Sequence, residues 1–195
     1  LILCYNNGDF GDVMKKVIFL DLDGVLNDNL NDFVNSCVES VKELVEKNNA
    51  SVVMITSLQG NGTKIRRNKL SKVLEEVGIM VDDYIDPNFE GGLGDISMSS
   101  RVLGIIDYLK KHSDVNYIIL DDEFHNEYKM SCLNYYKTGT WKGFQKKDID
   151  KVSFKSVNLK TLDYFSYHYR ELGSYEKATN NVIKTLKKVL EKKSN

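Results

Sequence analysis

The chain has 195 residues, 42% of them apolar and 28% charged, with a formal net charge of −1. That length accommodates one domain with a full core, or one domain plus a helical appendage. The near-neutral balance gives no global electrostatic pull toward nucleic acid or an anionic membrane. No apolar run approaches the ~18 residues needed to span a bilayer. The three cysteines, Cys4, Cys37 and Cys132, have neither metal-ligand nor disulfide spacing, so a reducing cytoplasm is the expected location.

Leu1 to Tyr5 is too short for a signal-peptide core, and residues 1–13 are expected to be a lead-in or a cloning remnant. Val17-Ile18-Phe19-Leu20 is an unbroken apolar run between Lys and Asp, the pattern of a strand buried on both faces. From Asn31 to Lys47, Phe33, Val34, Cys37, Val38, Val41, Leu44 and Val45 recur at helical spacing. Ser51 to Ile55 reads as a second buried strand. Thr63 is placed to cap a helix carrying Ile65, Leu70, Val73, Leu74 and Val77, closed by Gly78. A short strand is expected over 81–86.

Asp86 to Ser100 holds Pro87, Gly91, Gly92 and Gly94 and reads as a loop. Arg101 to His112 reads as a helix with Val102, Ile105, Ile106 and Leu109 facing inward, and Tyr117 to Leu120 as another buried strand. Beyond residue 150, Ser174 is placed to cap a final helix with Ala178, Val182, Ile183, Leu186, Val189 and Leu190 on its apolar face. Its lysines, 184, 187, 188, 192 and 193, read as a solvated face. The aromatic cluster Tyr164, Phe165, Tyr167, His168 and Tyr169 is expected to pack this tail onto the core. Trp141 is expected to pack beside the sheet edge, and His112 and His125 read as structural.

Alternating strands and helices imply a mainly parallel sheet covered on both faces. Such sheets bind ligands at the carboxyl ends of their strands. The first strand ends in Asp21-Leu22-Asp23-Gly24-Val25, where two carboxylates on a turn eased by Gly24 can share a Mg²⁺ ion while one stays free to attack. The second ends in Thr56-Ser57, whose hydroxyls can donate to phosphoryl oxygens. The strand at 117–120 runs into Asp121-Asp122-Glu123, hard oxygen donors suited to the same metal. Arg101, twenty residues before Asp121, can neutralise a phosphate. Each feature has a plain alternative: Asp-Gly after an apolar run is also a hairpin signal, an acidic run is often a solvated loop, and Arg101 can be a surface residue. Their occurrence together, in order, at strand ends favours the functional reading.

The run Val17 to Val25 resembles the first motif of the haloacid-dehalogenase (HAD) superfamily, an apolar strand followed by Asp-x-Asp-Gly. Thr56 resembles the second motif, Arg101 the third and Asp121-Asp122 the acidic fourth. The stretch from Arg101 through Gly104-Ile105-Ile106, Tyr108-Leu109, His112 and Tyr117 to Leu120-Asp121-Asp122 resembles the HAD domains associated with Swiss Army Knife RNA-repair proteins, as does Thr138 to Asp148 with Gly143-Phe144. The resemblance covers about residues 15–150. It departs where that branch often has Ser-Trp-Arg and this chain has Ser57-Leu58-Gln59, and where the third-motif base is Arg rather than Lys; Lys64, Arg66, Arg67 and Lys69 are alternative bases.

The resemblance implies a HAD-like Rossmannoid three-layer α/β/α sandwich over 14–150. Thr56 follows Asp21 by only 35 residues, so no large cap domain is expected, and the residues beyond the last motif read as a helical extension over 151–195 packed on the core. The resemblance also implies a Mg²⁺-dependent phosphatase in which Asp21 forms an aspartyl-phosphate and Asp23 acts as general acid and base. Gly24, Thr56, Ser57 and Arg101 form the implied substrate-binding set, with Asp21, Asp23, Asp121 and Asp122 around the metal. The implied partner is a phosphorylated substrate reached through an open site suited to bulky or macromolecular esters. Nucleic-acid 3′ or 5′ ends are a narrower alternative, and a phosphotransferase or a non-catalytic HAD-fold binding module are others.

Overall fold

The computed structural model describes residues 14–27, 33–55, 64–85, 98–123, 125–139 and 141–163, with residue 184 singly. A six-stranded sheet forms the centre, with five strands in the order β3-β2-β1-β4-β5. These are β1 (Lys15–Leu20), β2 (Ala50–Met54), β3 (Asp83–Tyr84), β4 (Val115–Asp121) and β5 (Tyr135–Lys137). All neighbours along this path run parallel. The sixth strand, β6 (Lys155–Ser156), pairs antiparallel with Asn116 and Tyr117 of β4. It continues the edge on which β5 pairs with residues 119–121 of β4.

The unbroken apolar run of β1 follows from its position between β2 and β4, with both faces covered. Side chains alternate across the sheet. Val17 and Phe19 join Val102, Ile105, Ile106 and Leu109 of α3 (Met98–Lys111) in one core layer. Ile18 and Leu20 join Val38, Val41 and Leu44 of α1 (Asn35–Asn48), and Leu74 of α2 (Lys64–Glu76), in the other. Helices on both faces of a mainly parallel sheet make the expected three-layer α/β/α sandwich. Truncating a central residue such as Ile18 to Ala is expected to cost roughly 2–5 kcal/mol. Because β2 and β4 flank β1 on opposite sides, the strand order reverses there, and sheets of this kind bind ligands beyond the carboxyl ends of the strands at such a point.

The sequence reading is corrected at two helix starts and at one side chain. The helix expected from Asn31 begins at Asn35, because the Val34 N–H is taken by the Leu26 carbonyl (2.9 Å) and Val34 is extended. Phe33 packs against the core from this extended lead-in. The expected loop through Ser100 ends sooner, since α3 starts at Met98. Pro87 and the glycines lie upstream, and nothing in Met98-Ser99-Ser100 stops a helix. Trp141, expected to pack at the sheet edge, is 71% exposed, because the turn that holds it lifts it off the core.

Two short elements follow β4: α4 (His125–Met130), and a 3-10 helix over Lys146–Lys151 after β5. His112 stacks on Tyr108, with ring centroids 4.3 Å apart. Among the described tail residues, Leu162 is buried in the α3-side core, and Lys110 pairs with Asp163 at 2.6 Å. The aromatic cluster and the last helix expected in the tail lie outside the described residues, as do Thr56, Ser57 and the segment 1–13.

Candidate active site

Asp21 is the first residue beyond β1, and its N–H still bonds the Leu120 carbonyl of the neighbouring strand at 3.0 Å. The chain then turns tightly, with Val25 and Leu26 N–H groups both on the Leu22 carbonyl. Asn27 closes this turn from inside: its Oδ1 accepts the Gly24 N–H and its Nδ2 donates to Asp23 Oδ1, both at 2.9 Å. Asp23 is half-buried where Asp21 is buried, so the two carboxylates of the Asp-x-Asp pair differ in access to solvent.

Beside Asp21, β4 delivers Asp121 and Asp122. One carboxylate oxygen from each of Asp21, Asp121 and Asp122 lies within 4.8 Å of the others. Arg101 enters from the first turns of α3, and its Nη1 donates to Asp21 Oδ2 at 3.0 Å and to Asp121 Oδ2 at 2.7 Å. Asp21, Asp121, Asp122 and Arg101 are 5%, 1%, 4% and 6% exposed. Among the described residues three buried carboxylates crowd around the Arg101 guanidinium, and like charges this close are costly away from water.

The titration of the group reflects this crowding. Burial raises the carboxyl of Asp21 above its ordinary value; Arg101 opposes the rise and Asp121 adds to it. Burial likewise raises Asp121, against the pull of Arg101 and of the hydrogen bonds it accepts. For Arg101 burial works downward, but Asp21, Tyr128 and Asp121 outweigh it and hold the guanidinium firmly charged. A divalent cation that prefers oxygen donors fits such a set, since the clustered carboxylates supply hard ligands.

Of the residues that hold this arrangement, Tyr128 carries no sequence signal of its own, whereas Thr138, Gly143 and Phe144 lie in the stretch that resembles the Swiss Army Knife branch. Tyr128 of α4 is fully buried, and its hydroxyl donates to Asp121 Oδ2 at 2.7 Å. Asp121 Oδ1 is bound by the Glu123 N–H at 2.8 Å, so both oxygens of that carboxylate are oriented. Thr138 donates from Oγ1 to the Gly24 carbonyl at 2.7 Å, and the Phe144 N–H bonds the Val25 carbonyl at 2.8 Å. The segment after β5 therefore braces the turn that follows Asp21. Gly143 makes the contact possible, because a Cβ there would stand 2.7 Å from the Val25 carbonyl oxygen. Of the alternative bases, Lys69 is exposed on α2, and the side chains of Lys64, Arg66 and Arg67 lie outside those described.

A family model described as the HAD domain in Swiss Army Knife RNA repair proteins matches residues 17–149. The chain belongs to this family. The matched span runs from within β1 into the 3-10 helix, and it contains every residue of the acidic trio, Arg101 and the brace over 138–144. No curated protein and no solved structure matches the chain. Membership of a HAD family points to phosphatase or hydrolase chemistry for the site at β1 and β4. Among the described residues no helix is long and apolar enough to cross a membrane.

Proposed function

We propose that this HAD-family chain is a Mg²⁺-dependent phosphomonoesterase that works through an aspartyl-phosphate on Asp21. The observation that carries the proposal is the buried Asp21–Asp121–Asp122 trio with Arg101 set among it. An oxygen of Asp21 attacks phosphorus, and the P–O bond to the alcohol breaks in line with it. Asp23, on the solvent side and oriented by Asn27, gives its proton to the departing oxygen. It then takes a proton from the water that hydrolyses the acyl phosphate. Arg101 holds the phosphoryl oxygens where charge accumulates, and Thr56 and Ser57 donate hydrogen bonds to them.

Mg²⁺ would be held by the carboxylates of Asp21, Asp121 and Asp122 and the backbone carbonyl of Asp23, and when bound it supplies charge neutralisation that lets an anion approach an anion. The 27-to-98 interval contributes only α1, β2, α2 and β3 among the described residues. The short spacing from Asp21 to Thr56 gives little room for a large cap domain, which favours access by a bulky phosphoester. The RNA-repair association in the family's description favours nucleic-acid 3′ or 5′ ends as the narrower reading. The scattered, odd-numbered cysteines of the sequence favour a cytoplasmic location.

Hydrolysis of p-nitrophenyl phosphate tests the proposal. Turnover that depends on Mg²⁺ and disappears in Asp21→Asn is expected; turnover that persists in Asp21→Asn, or that ignores chelation, would rule it out.

A further inference from the structure

Trp141 is the only tryptophan of the chain, and it stands 71% exposed. A large apolar ring in water invites a reason, and the residues that flank it are hydrogen-bonded. The Lys142 and Gly143 N–H groups both bond the Gly139 carbonyl, at 2.8 and 2.9 Å, and Gly139 and Gly143 form a β-bridge. Both sides of this turn are fastened to the loop that carries Asp23, through Thr138 to Gly24 and Phe144 to Val25. The indole is thus presented by a fixed turn at the rim of the acidic site.

The charge along its own segment is also unlike the rest of the chain, although Glu39, Glu43 and Glu46 of α1 lie near the Gln145–Lys146 end. Residues 137–147 contain Lys137, Lys142, Lys146 and Lys147 and no carboxylate, although the whole chain carries −1. All four lysines are exposed. Lys146 pairs with Glu43 at 3.0 Å. Lys137 lies in register with Asp121 at the carboxyl end of β4, beside the trio. An aromatic face held in solvent among cations is the combination that binds single-stranded nucleic acid, where a base stacks on the ring and the backbone meets the positive charge.

We propose that the Gly139–Gly143 turn, with Trp141 and its flanking Lys137 and Lys142, binds the end of a single-stranded nucleic acid. The end base stacks on Trp141, the lysines take the adjoining phosphodiesters, and the terminal phosphate lies over Asp21. Only the last of these rests on the phosphatase reading.

Because Trp141 is the sole indole, its fluorescence reports stacking directly. The full chain is titrated in EDTA with a phosphorylated single-stranded oligonucleotide, and binding is followed in parallel by anisotropy of a labelled strand. Saturable quenching is expected. Trp141→Ala should weaken strand binding by about tenfold or more. Lys137→Gln with Lys142→Gln should flatten the log–log salt dependence by about 1.4. Mg²⁺-dependent hydrolysis of acetyl phosphate, which has no ring to stack, should be unchanged in all three proteins.

Strand binding without quenching, or with unchanged affinity in Trp141→Ala, overturns the proposal. So does a nucleoside monophosphate that binds as tightly as the strand and ignores the lysine substitutions, which would mean a single-nucleotide pocket. A phosphotyrosyl peptide that quenches where the strand does not also overturns it. Quenching and the two variant effects in a chain that never hydrolyses acetyl phosphate would support the surface and refute the phosphatase reading instead.

Discussion

Gly24 and Asp122 meet so closely that no other residue fits between them. Gly24 has a φ of +67°, and a Cβ at that position would lie 2.2 Å from Asp122 Cγ. Both the backbone conformation and the space therefore demand glycine. Gly24→Ala is expected to displace the Asp122 carboxylate, to lower stability by at least ~1–2 kcal/mol, and to remove the thermal stabilisation given by Mg²⁺. Melting curves with and without the ion check this; an intact Mg²⁺ response would mean that Asp122 is dispensable to the metal. Tyr128 makes a gentler case. Tyr128→Phe keeps the ring in its buried place but withdraws one of the hydrogen bonds that orient Asp121. It should cost roughly 1.5–3 kcal/mol in denaturant and weaken Mg²⁺ binding by about 10–100-fold in calorimetry. Unchanged affinity would make Tyr128 a packing residue only.

At the scale of elements, the 3-10 helix at Lys146–Lys151 anchors the far end of the brace over the Asp21 turn. Asp148 accepts hydrogen bonds from Tyr136 at 2.8 Å, Lys151 at 2.9 Å and the Gln145 N–H at 3.1 Å. Burial pushes its carboxyl upward, but these partners outweigh it and hold it below the ordinary value of 3.8. A depressed carboxyl stabilises the fold above that ordinary value, and the contribution is lost as pH falls through the lower folded value. Asp148→Asn should therefore cost about 1–2 kcal/mol at neutral pH, and the difference from wild type should close in strong acid. Urea unfolding at both pH values tests this, and a constant difference would contradict the assignment. The strands differ in how far sequence reveals them. β1, β2 and β4 were legible because central parallel strands are buried on both faces and so read as unbroken apolar runs. β5 and β6 were not, since Tyr135–Lys137 and Lys155–Ser156 are short, partly exposed edge segments with no apolar run. The brace after β5 lies in the Thr138–Asp148 stretch that carries the family resemblance. Its contacts with the Asp21 turn, such as Thr138 to Gly24, join residues distant in the chain, and neither these nor the Tyr128 hydroxyl on Asp121 are encoded by a local pattern.

The whole molecule assembles its acidic trio from strands about a hundred residues apart in sequence, adjacent only because β1 and β4 pair in the sheet. Asp21, Asp121, Asp122 and Arg101 could be singled out in advance because each adjoins a strand end or opens a helix, and sheet topology brings those places together. Trp141 was misread because its neighbours in sequence do not reveal the turn that lifts it away. The shared burial of the trio also couples folding to metal and pH. A carboxyl raised above its ordinary value of 3.8 gives stability that is complete below that value and lost as pH rises through the folded value. Without metal, Asp21 and Asp121 thus weaken the fold toward neutral pH. Mg²⁺ should raise the melting temperature markedly at about pH 7.5 and little at about pH 4.5, where protons compete for the same oxygens. Equal shifts at the two pH values would place the ion elsewhere.

The central claim is that Asp21 carries the phosphoryl group. The most direct measurement is acid quenching of the chain during turnover of acetyl phosphate with Mg²⁺, followed by peptide mass spectrometry. One phosphoryl group on Asp21, absent after chelation and absent in Asp21→Asn, is the predicted result. Phosphate release at full rate with Asp21 unmodified at every quench time, and retained in Asp21→Asn, would contradict it.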